Sequence, residues 1–197
     1  MIEVHEFMEE YLGKKRKGNI TEEEYYMMIA LTASMNSKDP STQVGSCIVK
    51  NGEILSIGCN NPPKNWDDDK FPFGNNVSEI EEINTKYPYI IHSEMDAVAN
   101  YKGSIKDLED STIYVTLFPC CNCSKIIARF GIKKVLYFDI RNNNLDTLYS
   151  KTLLKNCNIE CIDFKNLKTE YLSKVDFNFN SEEKNIKVLR KIKIPKE

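Results

Sequence analysis

Long apolar runs and an excess of basic charge are missing from this chain of 197 residues. No stretch of about 18 apolar residues occurs, so the sequence predicts no membrane-spanning helix. The first residues, MIEVHEFMEEYLGKKRKG, lack an apolar core, which argues against a secretory signal and predicts a cytoplasmic location. With 27 Lys and Arg against 29 Asp and Glu, the formal net charge is -2, so nucleic-acid binding is not expected.

Histidine is scarce, with two residues, whereas cysteine occurs seven times. An odd number of cysteines in a chain of this size does not suggest a disulfide framework. Three of the cysteines, Cys120, Cys121 and Cys123, fall within four residues. In a reducing compartment, such a cluster indicates metal binding or redox and nucleophilic chemistry.

The length and the pattern of apolar residues predict one domain at residues 21–165, preceded by an arm at 1–20 and followed by a tail or helix at 166–197. Thr21 and Glu24 match a capping box at the start of a helix. We expect the buried face of this helix to consist of Tyr25, Met28, Ile29, Thr32 and Met35. Residues 60–90 are rich in Pro, Gly and Asn and predict a functional lid, with one short helix near 78–85.

The remaining pattern predicts the order α-β-β-α-β-α-β-α-β. GSCIVK and EILSIGC form a hairpin around Asn51-Gly52, and their nearly continuous apolar runs predict that both strands are covered on both faces. After the lid, helices at about 92–101, 121–130 and 145–155 alternate with strands at 112–116, 134–138 and 159–162. This order predicts an α/β fold with a five-stranded mixed sheet and helices on both faces.

Two short segments carry the chemistry, His92-Ser93-Glu94 and Pro119-Cys120-Cys121-Asn122-Cys123. Cys120 and Cys123 begin a predicted helix, where free N–H groups and the helix dipole favour thiolates. Two thiolates and His92 give three zinc ligands and leave a fourth position for water, which is typical of a catalytic zinc site. Cys121 should face elsewhere, because neighbouring residues on a helix point about 100° apart. Glu94 could lie beside the metal and transfer protons.

The His-x-Glu and Pro-Cys-x-x-Cys motifs resemble the signature of the cytidine/deoxycytidylate deaminase superfamily. The flanks SKDPSTQVGSCIV, IHSEMDAV and YVTLFPCCNCSKIIARFGIKKVLYF are most similar to those of deoxycytidylate (dCMP) deaminases, over roughly residues 22–165. The resemblance implies a cytidine-deaminase-like three-layer α/β/α sandwich. It also implies Zn²⁺ held by His92, Cys120 and Cys123, and hydrolysis of dCMP to dUMP and ammonia for thymidylate synthesis. Glu94 is the implied catalytic proton shuttle.

The resemblance also implies where the nucleotide binds. Asn60 stands where the family has an Asn that contacts the sugar, and the main chain near Ser93 and Thr116–Phe118 would hold the base. For the phosphate we expect Arg141 rather than Lys64, because Arg141 follows a strand end and its guanidinium suits bidentate phosphate binding.

Regulation and assembly are implied in the same way. Family members bind dCTP as an activator and dTTP as an inhibitor, with Mg²⁺ on the triphosphate, and the matching positions are Lys38, Asp39 and Asn61. A homo-oligomer, hexameric in the family, is also implied. The segment GCNNPP departs from the family's Gly-Tyr-Asn-Gly-x-Pro at Cys59 and Asn61, and Ser93 and Asp96 replace an Ala and an Asn. These differences leave the metal motif intact and the effector response open.

Three alternatives remain at this point. A bifunctional dCMP/dCTP deaminase would carry the same motifs. A tRNA adenosine or nucleobase deaminase shares the superfamily signature, but the net charge disfavours a tRNA substrate. A zinc-stabilised binding module would need four protein ligands and would have no use for Glu94.

Overall fold

The computed structural model describes residues 19–76, 81–141 and 144–167. The predicted arm and tail lie almost entirely outside these ranges. Of the short helix expected near 78–85, residues 78–80 also lie outside them, and the described part contains one turn of 3-10 helix at Glu82–Asn84. The helices and strands are, in chain order, α1 (Glu22–Ser34), β1 (Gly45–Lys50), β2 (Glu53–Cys59), α2 (Ser93–Asn100), β3 (Thr112–Leu117), α3 (Cys121–Arg129), β4 (Lys134–Asp139), α4 (Leu145–Asn156) and β5 (Glu160–Asp163). The predicted order is confirmed. Of the described helices, none combines the length and apolar character needed to cross a membrane.

The five strands form one mixed sheet in the order β2-β1-β3-β4-β5. Strand β1 runs antiparallel to both β2 and β3, while β3, β4 and β5 are parallel. The hairpin turn is Asn51-Gly52, as predicted, and both residues have positive φ, at 51° and 81°. The carboxyl ends of the parallel strands meet at one edge, which is where open α/β sheets bind ligands.

Apolar side chains alternate between the two faces of the sheet, which gives a three-layer α/β/α sandwich. One face packs against α1 through Cys47, Val49, Tyr114, Leu136 and Phe138. The other face packs against α2, α3 and α4 through Ile48, Ile113, Val115 and Val135. The predicted fold class is therefore confirmed.

The predicted core face of α1 is wrong. Tyr25 and Met35 are 46% and 40% exposed, whereas Tyr26, Met27, Ala30 and Leu31 are buried. Of the expected stripe, Met28 and Ile29 are half-buried and pack against this core, so the stripe lies at the border of the buried face and not at its centre. The Tyr26 hydroxyl donates to the Gly52 carbonyl at 2.7 Å, so the second of the two adjacent tyrosines turns towards the hairpin.

Strand β2 is also less covered than predicted. It is an edge strand, and Ile54 and Ile57 are exposed. Its apolar run therefore does not mark a central strand. Its covered face lies under α2, where Gly58 allows helix and strand backbones to approach closely. A Cβ atom at Gly58 would lie 2.3 Å from the Ala97 nitrogen and 2.4 Å from the Ser93 oxygen.

We expect Gly58→Ala to lower the free energy of unfolding by about 1–3 kcal/mol, the usual cost of overpacking. Both atoms that the added methyl would meet belong to the backbone of α2, so no side-chain rotation can relieve the clash. Thermal unfolding of the variant beside the unmodified protein measures the effect. An unchanged midpoint would contradict the close approach of α2 and β2.

Candidate active site

His92, Cys120 and Cys123 converge at the carboxyl edge of the sheet. His92 is the residue before α2, and the two cysteines lie at the start of α3, immediately after β3. The His92 Nδ1 atom lies 3.3 Å from the Cys120 Sγ and 3.4 Å from the Cys123 Sγ. All three ligand atoms lie within 4.8 Å of one another. The structure therefore brings together the three residues that the sequence selected.

This donor set fits a zinc ion. With Zn–S near 2.3 Å and Zn–N near 2.0–2.1 Å, ligand atoms at two corners of a tetrahedron lie roughly 3.5–3.8 Å apart. The N–S separations of 3.3 and 3.4 Å are close to that spacing. One imidazole nitrogen and two sulfurs are the ligands that zinc prefers, and three protein ligands leave one position for water or substrate.

The two thiols do not share their charge equally. A hydrogen bond from the Cys123 thiol is the main cause that lowers the pKa of Cys120 to about 4, and His92 adds to the effect. The same bond and burial raise the pKa of Cys123. Cys120 is thus the stronger thiolate, and a bound metal cation would favour ionisation of both sulfurs.

Glu94 is buried in the first turn of α2, with 3% of its surface exposed. The Ser93 hydroxyl lies 3.1 Å from Glu94 Oε2 and donates to it, and the Ser46 hydroxyl lies 2.6 Å from that of Ser93. Burial is the main cause that raises the pKa of the Glu94 carboxyl. A fixed carboxyl group with a raised pKa is suited to proton transfer.

Cys121 lies outside this cluster of ligand atoms. It is not among the three clustered ligands found in the described part of the chain. Its backbone N–H points to the Asp146 carboxylate, at 3.2 Å from each oxygen. Its absence from the ligand cluster agrees with the expectation from helix geometry.

A pocket of about 400 Å³ opens over the cluster. Its lining comes from the loop before β1, the 60–90 segment that follows β2, the start of α2, the loop after β3, and the loop after β4 with the first turn of α4. Its lining includes Asp39, Thr42, Asn60, Lys86, His92, Ser93, Glu94, Leu117, Phe118, Cys120, Arg141 and Asp146. Asn60, Ser93 and Arg141, which the sequence assigned to substrate, all lie on this wall.

Asn60 is buried, and its side-chain amide makes three hydrogen bonds. Its Oδ1 accepts from the Val44 N–H at 2.7 Å, and its Nδ2 donates to the Thr42 carbonyl at 2.9 Å and to the Asp39 carboxylate at 3.2 Å. Arg141 lies at the mouth, where its Nη2 donates to the Thr42 hydroxyl at 3.3 Å. Lys64 is exposed and lies apart from the residues that line the pocket.

The three residues expected at an effector site lie in two places. The Lys38 N–H donates to Asn61 Oδ1 at 2.8 Å, so these two residues lie together at the surface. The Lys38 ammonium is paired with Asp68. Asp39 instead points into the active-site pocket and forms a buried ion pair with Lys86.

Lys86 is among the pocket residues that sequence reasoning missed, and it carries a buried charge. Its ammonium lies 2.6 Å from both Asp39 carboxylate oxygens. The available signal was a single lysine in a segment of aromatic and apolar residues, INTKYPYII. A charged residue in such a segment is buried with a partner more often than it is left alone.

The comparisons with known proteins agree with this site. Residues 20–139 match the family model described as the cytidine and deoxycytidylate deaminase zinc-binding region. The chain is 35% identical to mouse deoxycytidylate deaminase over 170 residues, which are 85% of this chain and 91% of the mouse protein. It is 36% identical to the human enzyme over 150 residues, which are 76% and 82% of the two chains.

A solved structure gives the same result. The dCMP deaminase from the cyanophage S-TIM5, in complex with dCMP and dUMP, superposes with a TM-score of 0.54 at 29% identity. The match covers 72% of this chain and 95% of the phage protein. The fold, the cluster of His92, Cys120 and Cys123 and these matches lead to one assignment: the chain belongs to the cytidine and deoxycytidylate deaminase family.

Proposed function

We propose that this protein hydrolyses dCMP to dUMP and ammonia, and so supplies dUMP for thymidylate synthesis. The observation that carries the proposal is the cluster of His92, Cys120 and Cys123, with the buried carboxyl of Glu94 beside it on the wall of a nucleotide-sized pocket. The family assignment supports a deaminase. The similarity to mouse and human deoxycytidylate deaminases supports the monophosphate as substrate.

The chain's own residues divide the work of the reaction. His92, Cys120 and Cys123 would hold a zinc ion, which when bound supplies the Lewis acidity that activates a water molecule near neutral pH. Glu94 accepts the proton of the attacking water, delivers it to N3 of the cytosine ring, and assists the departure of ammonia from C4. Ser93, through its hydrogen bond to Oε2, keeps the Glu94 carboxylate in one orientation.

The rest of the pocket accounts for a nucleotide. The main chain near Ser93 and Thr116–Phe118 would hold the edge of the base, and Phe118 lines the same wall. Asn60 would meet the deoxyribose. Arg141, at the mouth of the pocket, would bind the phosphate through its planar guanidinium.

We expect dCMP to be preferred over deoxycytidine by about tenfold or more in kcat/KM, because one charge-assisted phosphate contact contributes roughly 1.5–3 kcal/mol. Arg141→Ala should remove most of that preference and leave the turnover of deoxycytidine unchanged. Ammonia release measured on both substrates tests this. Arg129→Ala is the matched control, since Arg129 is an exposed arginine outside the pocket lining.

Two outcomes distinguish an error in the proposed substrate from an error in the proposed phosphate-binding residue. If the unmodified protein converts deoxycytidine as efficiently as dCMP, the nucleotide-level activity is wrong. If dCMP is preferred and Arg141→Ala leaves that preference intact, the reaction stands and the phosphate contact lies elsewhere. The same assay with dCTP distinguishes a dCMP deaminase from a bifunctional dCMP/dCTP deaminase.

Regulation, assembly and location belong to the same proposal. Binding of dCTP or dTTP with Mg²⁺ would involve Lys38 and Asn61, whose ion pair and hydrogen bond lie at the surface where a triphosphate has access. Asp39, in its buried ion pair, is the weakest member of that group. A homo-oligomer and a cytoplasmic location remain predictions. All seven cysteines are free, which fits a reducing compartment.

A further inference from the structure

A buried ion pair on the pocket wall has no part in the proton transfers above. The side chains of Lys86 and Asp39 are 6% and 2% exposed. Buried charges cost free energy unless they are paired and hydrogen-bonded. The pair joins two separate segments of the chain. Two neighbouring hydrogen bonds support this connection: the Lys86 N–H donates to the Gly74 carbonyl, and the Asn75 side chain donates to the Ser41 hydroxyl. The end of the 60–90 segment is thereby fixed to the loop that precedes β1.

Asp39 passes this constraint to the loop and to Asn60. Its Oδ1 accepts from the backbone N–H groups of Ser41 and Thr42 at 2.8 and 3.2 Å. Its Oδ2 accepts from Asn60 Nδ2 at 3.2 Å. One carboxylate, neutralised by Lys86, therefore fixes both the Ser41–Thr42 backbone and one side of the Asn60 amide.

These bonds define which hydrogen-bonding groups Asn60 can offer to a ligand. An Asn side chain has two N–H donors and two acceptor lone pairs. Both donors are used, on Asp39 and on the Thr42 carbonyl, and the Val44 N–H occupies one lone pair of Oδ1. The Val44 donor and the Thr42 acceptor also fix the orientation of the amide. What Asn60 can still offer is the second lone pair of Oδ1, so a ligand must donate to it.

We infer that Lys86 is a positioning residue for substrate: through Asp39 it holds Asn60 as an acceptor that recognises a sugar hydroxyl by its donated hydrogen. The inference rests on the proposed deamination of dCMP, whose deoxyribose carries one hydroxyl, at C3′. Without Lys86, the Asp39 carboxylate is buried with no cation beside it. The Ser41 and Thr42 N–H groups and the second N–H of Asn60 then lose their acceptor, so the Val44 and Thr42 contacts alone no longer hold the Asn60 amide in place.

The unmodified protein provides the first test. We expect kcat/KM to fall about tenfold from dCMP to its 2′,3′-dideoxy analogue, the value of one hydrogen bond of this kind. The 3′-fluoro analogue is close in size to dCMP but cannot donate, so it should be as poor as the dideoxy compound. If the 3′-fluoro analogue matches dCMP, Asn60 does not act as an acceptor and the inference is overturned.

The second test removes the pair. Lys86→Met leaves a buried, unpaired carboxylate, so the informative variant is the double substitution Lys86→Met with Asp39→Asn, which removes both charges. The new amide has one acceptor oxygen where the carboxylate has two, so it cannot accept from both the Ser41–Thr42 N–H groups and Asn60 Nδ2. We expect the tenfold preference for dCMP over the dideoxy analogue to fall below about twofold, with the zinc content and the kcat on the dideoxy analogue retained.

Lys134→Met breaks an exposed ion pair with Glu160 at the opposite end of β4 and should keep the full preference. If the double variant also keeps it, the positioning role of Lys86 is wrong. If kcat/KM fell by the same factor on dCMP and on the dideoxy analogue, the ion pair would have a structural role alone, and the inference would be overturned as well. No ammonia from dCMP in the unmodified protein would instead refute the proposed function.

Discussion

Glu94→Gln should abolish most deaminase activity while the zinc content stays at that of the unmodified protein. We expect kcat to fall about 10²–10⁴-fold, the usual contribution of a positioned proton-transfer group. The variant keeps the size of the side chain and its ability to accept from the Ser93 hydroxyl, but an amide cannot take up a proton at neutral pH. Glu94→Ala should give a loss of at least the same size. Ammonia release and metal analysis of the same preparations measure both quantities.

Asp96→Asn is the matched control for this prediction. Asp96 lies in the same first turn of α2, but its carboxylate accepts from the Cys59 N–H and from Asn100 rather than facing the cluster. We expect this variant to retain activity within a few-fold. If Glu94→Gln lost zinc to the same extent as Cys120→Ala, Glu94 would be a metal ligand, and its role as a proton shuttle would be wrong.

The position of the active site could be predicted because short-range geometry determines much of it. A cysteine pair separated by two residues at a helix start places both sulfurs on one side of the first turn, whatever the rest of the fold does. Cys120 is the N-cap of α3 and Cys123 follows within that turn, as the sequence indicated. His92 and Glu94 likewise lie at the start of a helix. The two segments converge because both lie at the carboxyl edge of the sheet, and the alternating order of strands and helices that forms this sheet was also predicted from the sequence.

What the sequence did not reveal depends on contacts between distant residues. Lys86 and Asp39 are 47 positions apart, and no local pattern shows that their charges meet inside the pocket. The buried face of α1 was missed for a related reason. Its apolar residues run almost all around the helix, so the periodicity did not distinguish the face with Tyr26 and Met27 from its neighbour. Packing against the hairpin makes that choice.

The edge position of β2 illustrates a third limit. Its composition matches that of the central strand β1, yet its outer edge pairs with no other strand among residues 19–76, 81–141 and 144–167. Pairing partners depend on topology, and an apolar run by itself cannot distinguish an edge strand from a central one. Gly58 was a sign of close approach, because glycine within a strand often marks the near contact of another backbone.

Cys120→Ser and Cys123→Ser should each lose zinc and, with it, all measurable deamination. A serine hydroxyl stays protonated at neutral pH and replaces a soft thiolate with a poor zinc ligand. The loss should also lower stability, since a ligand present at 100 times its dissociation constant stabilises the folded state by about 2.7 kcal/mol. Metal content, ammonia release and the thermal midpoint, each measured with and without added zinc, test the three parts separately.

Cys121→Ser is the control, because it makes the same sulfur-to-oxygen replacement at the residue next to Cys120. Cys121 uses its backbone N–H to contact Asp146, and a serine preserves that contact. Its sulfur is outside the group of ligand atoms that lie within 4.8 Å of one another. We therefore expect Cys121→Ser to retain zinc, most of its activity and a midpoint that rises on adding zinc as in the unmodified protein. A zinc-free Cys121→Ser protein, or a zinc-loaded Cys123→Ser protein, would contradict the ligand set. The first result would place the third sulfur in the site, and the second would remove Cys123 from it.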